Sequence, residues 1–152
     1  MSEIEGRLAA LGLTLPEPAA PVAAYVPVVV AGGLAHVSGQ LPFRDGKVVT
    51  GRLGDDLDVA AGSDAAVLCA LMVGAQVKAA LGDLSRVARI VKLGVFVNSA
   101  PGFGDQPEVA NGASDLMVAL FGDAGKHARA AVGVAALPRN AAVEIDAIME
   151  IA

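Results

Sequence analysis

The chain has 152 residues, 55% of them hydrophobic and 18% charged, enough to bury a proper core in one compact domain and too few for two independent ones. Eleven Lys and Arg against sixteen Asp and Glu leave a formal charge of -5, and aromatics reach only 3%. Bulk attraction to nucleic acid or anionic membrane and a stacking platform for single-stranded RNA are therefore not expected.

Ser2 with Glu5 three residues on forms a potential capping box, and Leu8 and Leu11 give a short apolar stripe, so one short helix should open the chain. Pro16, Pro18 and Pro21 make an extended linker, which sets an N-terminal segment, 1–24, apart from a domain over 25–152. The apolar window from Val22 to Val37 is broken by Pro27, Gly32, Gly33 and His36 and falls short of the roughly 20 residues of a membrane span. It reads as a hairpin, Tyr25 to Ala31 and Leu34 to Ser38 around Gly32-Gly33, with a bulge or bend near Ser38-Gly39-Gln40 and Pro42 and a further turn at Arg44-Asp45-Gly46. The Pro-free stretch Asp58 to Leu81, closed by Gly82, predicts the longest helix. Val87 to Val97 has the β-branched density of a buried strand and Asn98 to Gly104 reads as a loop. Asp105, Pro107 and Glu108 predict a capped helix ending at Phe121 before Gly122. Ala128 to Ala135 and Ala142 to Ile151 read as strands of a terminal hairpin turning at Leu137-Pro138-Arg139-Asn140.

If that turn is centred between Leu137 and Pro138, Ala131 faces Glu144 and Arg129 is its diagonal neighbour at roughly 7–8 Å, with both charges on the face turned away from the core. Ala130, Val132, Val134, Val143 and Ile145 would then pack under the helices, while Ala131 and Gly133 leave room beside the guanidinium for a ligand or a second chain. An Arg fork binds a carboxylate through two parallel hydrogen bonds and a nearby Glu can orient water; the same two residues could equally form a structural ion pair.

Tyr25, the run Ser38-Gly39-Gln40-Leu41-Pro42, and Ala128-Arg129-Ala130-Ala131-Val132-Gly133-Val134 with Leu137-Pro138 and Val143-Glu144-Ile145 together resemble the RidA family, also called YjgF or L-PSP endoribonuclease-like, from about Tyr25 to Ile151. The resemblance implies an α+β, chorismate-mutase-like fold of the bacillary type: a single domain with a mixed sheet, two helices packed on one face, and a barrel-like homotrimer with ligand clefts between subunits. Deaminase-type members of the family hydrolyse enamine or imine intermediates such as 2-aminoacrylate to keto acids and ammonia, so the implied activity is that of a 2-iminobutanoate/2-iminopropanoate deaminase-like hydrolase. By matching position, Arg129 would bind the substrate carboxylate, Glu144 would position water, Tyr25 and Ser38 would line the cleft, Gly39 would offer backbone contacts and Asn111 would supply a polar group from the helix. Ala131 stands where many deaminase members carry Cys. The opening helix and the loop before Asp105 mark a divergent subgroup.

His127, two residues before Arg129, could add a second cation at the cleft mouth or be a solvent-facing turn residue. His36 has no acidic or thiol neighbour at ligand spacing and is expected to point from the first hairpin into the structure, and Cys69 is expected as a small core residue. That lone cysteine excludes an internal disulfide and a cysteine-rich zinc site and suits a reducing compartment. The acidic start lacks the basic and apolar regions of a signal peptide, so a cytoplasmic location is expected. No cofactor or metal is called for. The mean hydropathy, +0.60, exceeds what one small core uses, which predicts a surface buried between copies of the chain. Besides itself, the expected partner is a small carboxylate-bearing metabolite, with no nucleic acid and no membrane. Three functions stay open: imine hydrolysis, non-catalytic binding of a carboxylate for regulation, and the endoribonuclease or translation inhibitor of the older family label.

Overall fold

In the computed structural model, which describes residues 2–21 and 23–152, helix α1 (Glu3–Ala10) opens on the expected capping box. Ser2 Oγ accepts from the Glu5 amide and the Glu5 carboxylate accepts from the Ser2 amide, satisfying two donors that a helix start leaves unpaired. Ile4 and Leu8 are buried in the same core as the rest of the chain, and Arg7 Nη1 donates to the Leu120 carbonyl at 2.6 Å. Met1 and Val22, the first residue of the apolar window, lie outside the described residues.

The first hairpin forms around Gly32-Gly33 from β1 (Val28–Ala31) and β2 (Leu34–Gln40). Tyr25 and Val26 lie before β1 rather than in it, because Pro27 has no amide to add to the ladder. Ser38 ties this approach to β2 instead, its amide donating to Pro27 O and its hydroxyl to Val26 O, both at 2.8 Å. A small hairpin follows, β3 (Phe43–Arg44) and β4 (Lys47–Val48), whose turn residues Asp45 and Gly46 both take the positive φ that such a turn requires.

Helix α2 (Val59–Leu81) is capped by Asp58, whose carboxylate accepts from the Ala61 amide at 2.8 Å, and ends at Gly82. By length and hydropathy it would pass for a membrane span, but the sheet and a second helix cover it, and Ala65, Cys69, Val73 and Val77 are fully enclosed. Strand β5 (Val87–Asn98) leads to α3 (Gln106–Phe121), where Pro107 sits in the first turn but Asp105 makes no side-chain cap. The two helices cross closely: a Cβ on Gly112 would lie 2.2 Å from the Ser63 carbonyl oxygen, so only glycine fits there.

The last two strands, β6 (Ala128–Val134) and β7 (Val143–Ile151), do not form the expected hairpin. The five-stranded sheet runs β1-β2-β7-β5-β6, with β6 parallel to β5 and β7 antiparallel to both β2 and β5. The Pro138–Asn140 segment is a short 3-10 turn within a connection that carries the chain past β5, so no local turn sets a register between β6 and β7. Parallel pairing after a crossover helix is a long-range solution that alternation along one strand cannot reveal. The result is an α+β fold with a mixed sheet and two helices on one face. Leu93, Val95, Val97, Val143 and Ile145 are fully enclosed beneath α2 and α3, each such side chain contributing about 1.5–3 kcal/mol. The opposite face has no covering layer among the described residues. Val29 and Val132 are half exposed there, with Phe96 and Ile148 only partly covered. His36 also lies on this face, opposite Ile148, because Ala35 and Val37 take the inward positions; its expected inward orientation is wrong.

Candidate functional site

Sheet register separates the two charged candidates. Leu93 on β5 pairs with Arg129 on one side and Ala147 on the other, and Val95 pairs with Ala131 and Ile145, so Arg129 and Ala131 lie on the helix side of the sheet. Phe96 pairs with Glu144, so Glu144 lies on the open side. One strand intervenes and the two positions are staggered by three residues along it, placing their backbones about 14 Å apart. Arg129 and Glu144 are therefore neither diagonal neighbours nor an ion pair, and Ala130, Val132 and Val134 occupy the open face rather than the core. Gly133 does not leave an empty space: Gln106 Nε2 and Ser99 Oγ fill the volume beside it, while Ala131 packs against the core.

Arg129 emerges from the edge strand toward α3, where Nη1 donates to Asn111 Oδ1 at 2.9 Å and to Ser114 Oγ at 3.1 Å. Ser114 Oγ is 2.9 Å from His127 Nε2, and His127 Nδ1 is 2.6 Å from the Gly125 carbonyl oxygen. The carbonyl can only accept, so Nδ1 carries the proton. In the neutral ring Nε2 then accepts from the Ser114 hydroxyl, which in turn accepts from Arg129. The structure thus brings three expected residues together: Asn111 bonds Arg129 directly, and His127 reaches it through Ser114, which sequence reading missed. Its signal was the spacing of three from Asn111, which places both on one helix face. Among the described residues, Arg129 Nη2 and Nε have no partner, so one edge of the fork remains available.

Glu144 lies in a cavity of about 320 Å³, together with Tyr25, Gly39, Gln40, Gln76 and Arg139. Its carboxyl rests against β2 because residue 39 is glycine: a Cβ there would come 2.5 Å from the carboxylate oxygen. The β2 register shift between Val37 and Gln40 re-aims the strand at this point. Burial raises the Glu144 carboxyl above its ordinary value, and the Asp146 charge adds to that rise. Such a carboxyl is suited to taking up and returning a proton. Gln40 and Gln76 form the cavity's polar floor; Gln76 Nε2 donates to Gln40 Oε1 at 3.3 Å and to Ala19 O at 2.7 Å, which holds the Pro-rich segment over α2. Ser38 does not line this cavity; it sits with His36, Lys92 and Asp146 on the open face and acts by tethering the Tyr25 segment. A larger cavity of about 630 Å³ between the Pro-rich segment and α2 shares Ala19 and Phe43 with this one but contains none of the expected site residues.

Known proteins agree with this architecture. Residues 5–151 match the family described as "YjgF/chorismate_mutase-like, putative endoribonuclease", a match that begins within α1. Protein TCP17 of Trypanosoma cruzi is 57% identical over 96% of this chain and 95% of its own length. A 2-iminobutanoate/2-iminopropanoate deaminase of Dermatophagoides farinae is 30% identical over 86% of this chain and 88% of its own. The crystal structure of Atu1372 from Agrobacterium tumefaciens, a protein of unknown function, superposes with a TM-score of 0.93 at 56% identity, covering 99% of this chain and 93% of that one. The chain belongs to the RidA/YjgF family.

Proposed function

We propose that the protein hydrolyses imines of small 2-amino acids, R–C(=NH)–COO⁻ + H₂O giving R–C(=O)–COO⁻ + NH₃, at a site completed between copies of the chain in a cytoplasmic homotrimer. The observation that carries this reading is Arg129, a guanidinium held at one corner by α3 and left with donors free to grip a carboxylate. Glu144 is the complementary half: a raised, half-buried carboxyl that can take a proton from the attacking water and return it to the departing nitrogen. Since Arg129 and Glu144 point to opposite sides of one sheet, a single chain cannot present both to one small molecule. A neighbouring copy that covers the open face and brings its own Arg129 edge to this Glu144 would do so. The uncovered Val29, Phe96, Val132 and Ile148 supply the apolar area for such an assembly. The similarity to the mite deaminase supports the chemistry.

The test feeds 2-aminoacrylate, generated in place by a dehydratase, to the purified protein and follows ammonia release, with light scattering for the assembly. Accelerated release by a trimer, lost in Arg129→Lys, is the expected result. A stable monomer of 15.1 kDa would overturn the shared site. Saturable keto-acid binding without turnover would instead make the protein a carboxylate-binding regulator, a reading favoured by Ala131, which offers no thiol beside Arg129. Ribonuclease activity fits poorly with a charge of -5 and 3% aromatics.

A further inference from the structure

Among the described residues Arg139 is the one charged residue besides Glu144 that lines the 320 Å³ cavity, and neither the motifs nor the resemblance singled it out. Both Arg139 and Asn140 adopt left-handed backbone conformations, with φ of 58° and 56°, at positions where neither is glycine. Such a pair persists only where the surroundings dictate it. Here they do: Asn98, 1% exposed at the end of β5, donates from Nδ2 to Asn140 Oδ1 and to the Ala141 carbonyl, both at 3.1 Å, while Gly51 N donates to Asn140 O. The connection between β6 and β7 is held from beneath, and the Arg139 guanidinium is set over the Phe43 ring, 5.6 Å from its centroid. No carboxylate of the described residues pairs with it.

Resting on the carboxylate-imine reading above, we propose that Arg139 makes the Glu144 cavity a receptor for a second carboxylate, so that the preferred ligands are 2-imino and 2-oxo acids whose side chain itself ends in an acid group. With Glu144 as the only charge, the cavity would repel an anionic side chain; Arg139 brings the lining to neutrality and supplies a planar fork for the far acid. The Phe43 ring, with its centroid 5.6 Å from the guanidinium carbon, gives the Arg139 charge a cation–π contact beside the cavity. A volume of about 320 Å³ stands at the lower end of the roughly 300–1,000 Å³ typical of small-ligand sites. It is large enough to admit a four- or five-carbon diacid.

The matched probes are 2-oxoglutarate and 2-oxopentanoate, which differ only in the terminal acid, titrated calorimetrically into the assembled protein, with imine hydrolysis measured in parallel. The wild type should bind 2-oxoglutarate about tenfold to a hundredfold more tightly than 2-oxopentanoate, the range of a charge-assisted contact. Arg139→Asn, whose new side chain tolerates the left-handed backbone, should bring the ratio close to one. Phe43→Leu, which keeps the charge and removes its shelf, should lower the ratio part of the way. Equal affinity of the wild type for the two acids, or a preference that survives in Arg139→Asn, overturns the Arg139 assignment even where imine hydrolysis is intact. Failure of both acids to bind together with absent imine turnover overturns the carboxylate-imine reading itself.

Discussion

Arg129 and Glu144 meet opposite kinds of surroundings. The guanidinium stands on an edge strand and is oriented by polar groups: Asn111, Ser114 and, through Ser114, His127. The carboxyl stands on the central strand β7 and, among the described residues, makes no such bonds; bare glycine backbone, burial and the like charge of Asp146 govern it. A charge held by hydrogen bonds stays a charge and serves for grip. A charge left short of solvent and partners changes protonation readily and serves for proton transfer. Under the proposed imine hydrolysis this difference would divide binding from chemistry between the two regions, and each perturbation below strikes one and spares the other.

The largest effect is expected from Glu144→Gln, which keeps the shape of the side chain and removes its base. Ammonia release in the imine assay should fall about 10²–10⁴-fold in kcat with KM little changed. Arg129→Lys should do the reverse. A point charge cannot reproduce the two-pronged contact, so keto-acid affinity measured by calorimetry should drop by about 2–5 kcal/mol while light scattering shows the same assembly. Should either variant mainly lower the melting temperature or change the assembly, with affinity per folded molecule intact, the residue is architectural. Ser114→Ala removes one of the two acceptors of Nη1 and the donor to His127. About 0.5–1.5 kcal/mol of keto-acid affinity should be lost, and kcat should hardly move.

The smallest effect concerns pH. The folded protein raises the Glu144 pKa above 4.5, so folding favours the protonated carboxyl. This contribution is fully present below pH 4.5 and is lost as pH climbs through the raised value. Thermal melts across pH 4 to 7 should therefore show wild type losing stability relative to Glu144→Gln as pH rises. A difference between the two that does not vary with pH would show that the fold does not perturb this carboxyl.

Local signals in the sequence proved readable. The capping box of Ser2 and Glu5, the helix start at Asp58, the stops at Gly82 and Gly122, and the Gly32-Gly33 turn each act within a few residues, and α1, α2, α3 and the first hairpin lie close to where they predict. The β6–β7 register failed for the opposite reason. Alternation along β6 reports which residues share a face but not which face is covered, and the covering helix α3 and the partner β5 come from earlier in the chain. Arg129 and Glu144 could be picked out as charges in apolar strands, yet their separation by β5 could not. Ser114 could have been found from its helical spacing to Asn111. Arg139 could not, because its place in the cavity depends on a left-handed backbone fixed by the distant Asn98.

The position of β7 also bears on how the molecule comes into being. It follows every other strand in the chain, yet it pairs with β2 on one side and β5 on the other. Without it the sheet would be two pieces, β1-β2 and β5-β6, each with an unpaired backbone edge of the kind that invites aggregation. Val143 to Ile151 joins these pieces by pairing with β2 on one side and β5 on the other. The same pairing sets Glu144 against Gly39, so the carboxyl takes its place only in the complete sheet.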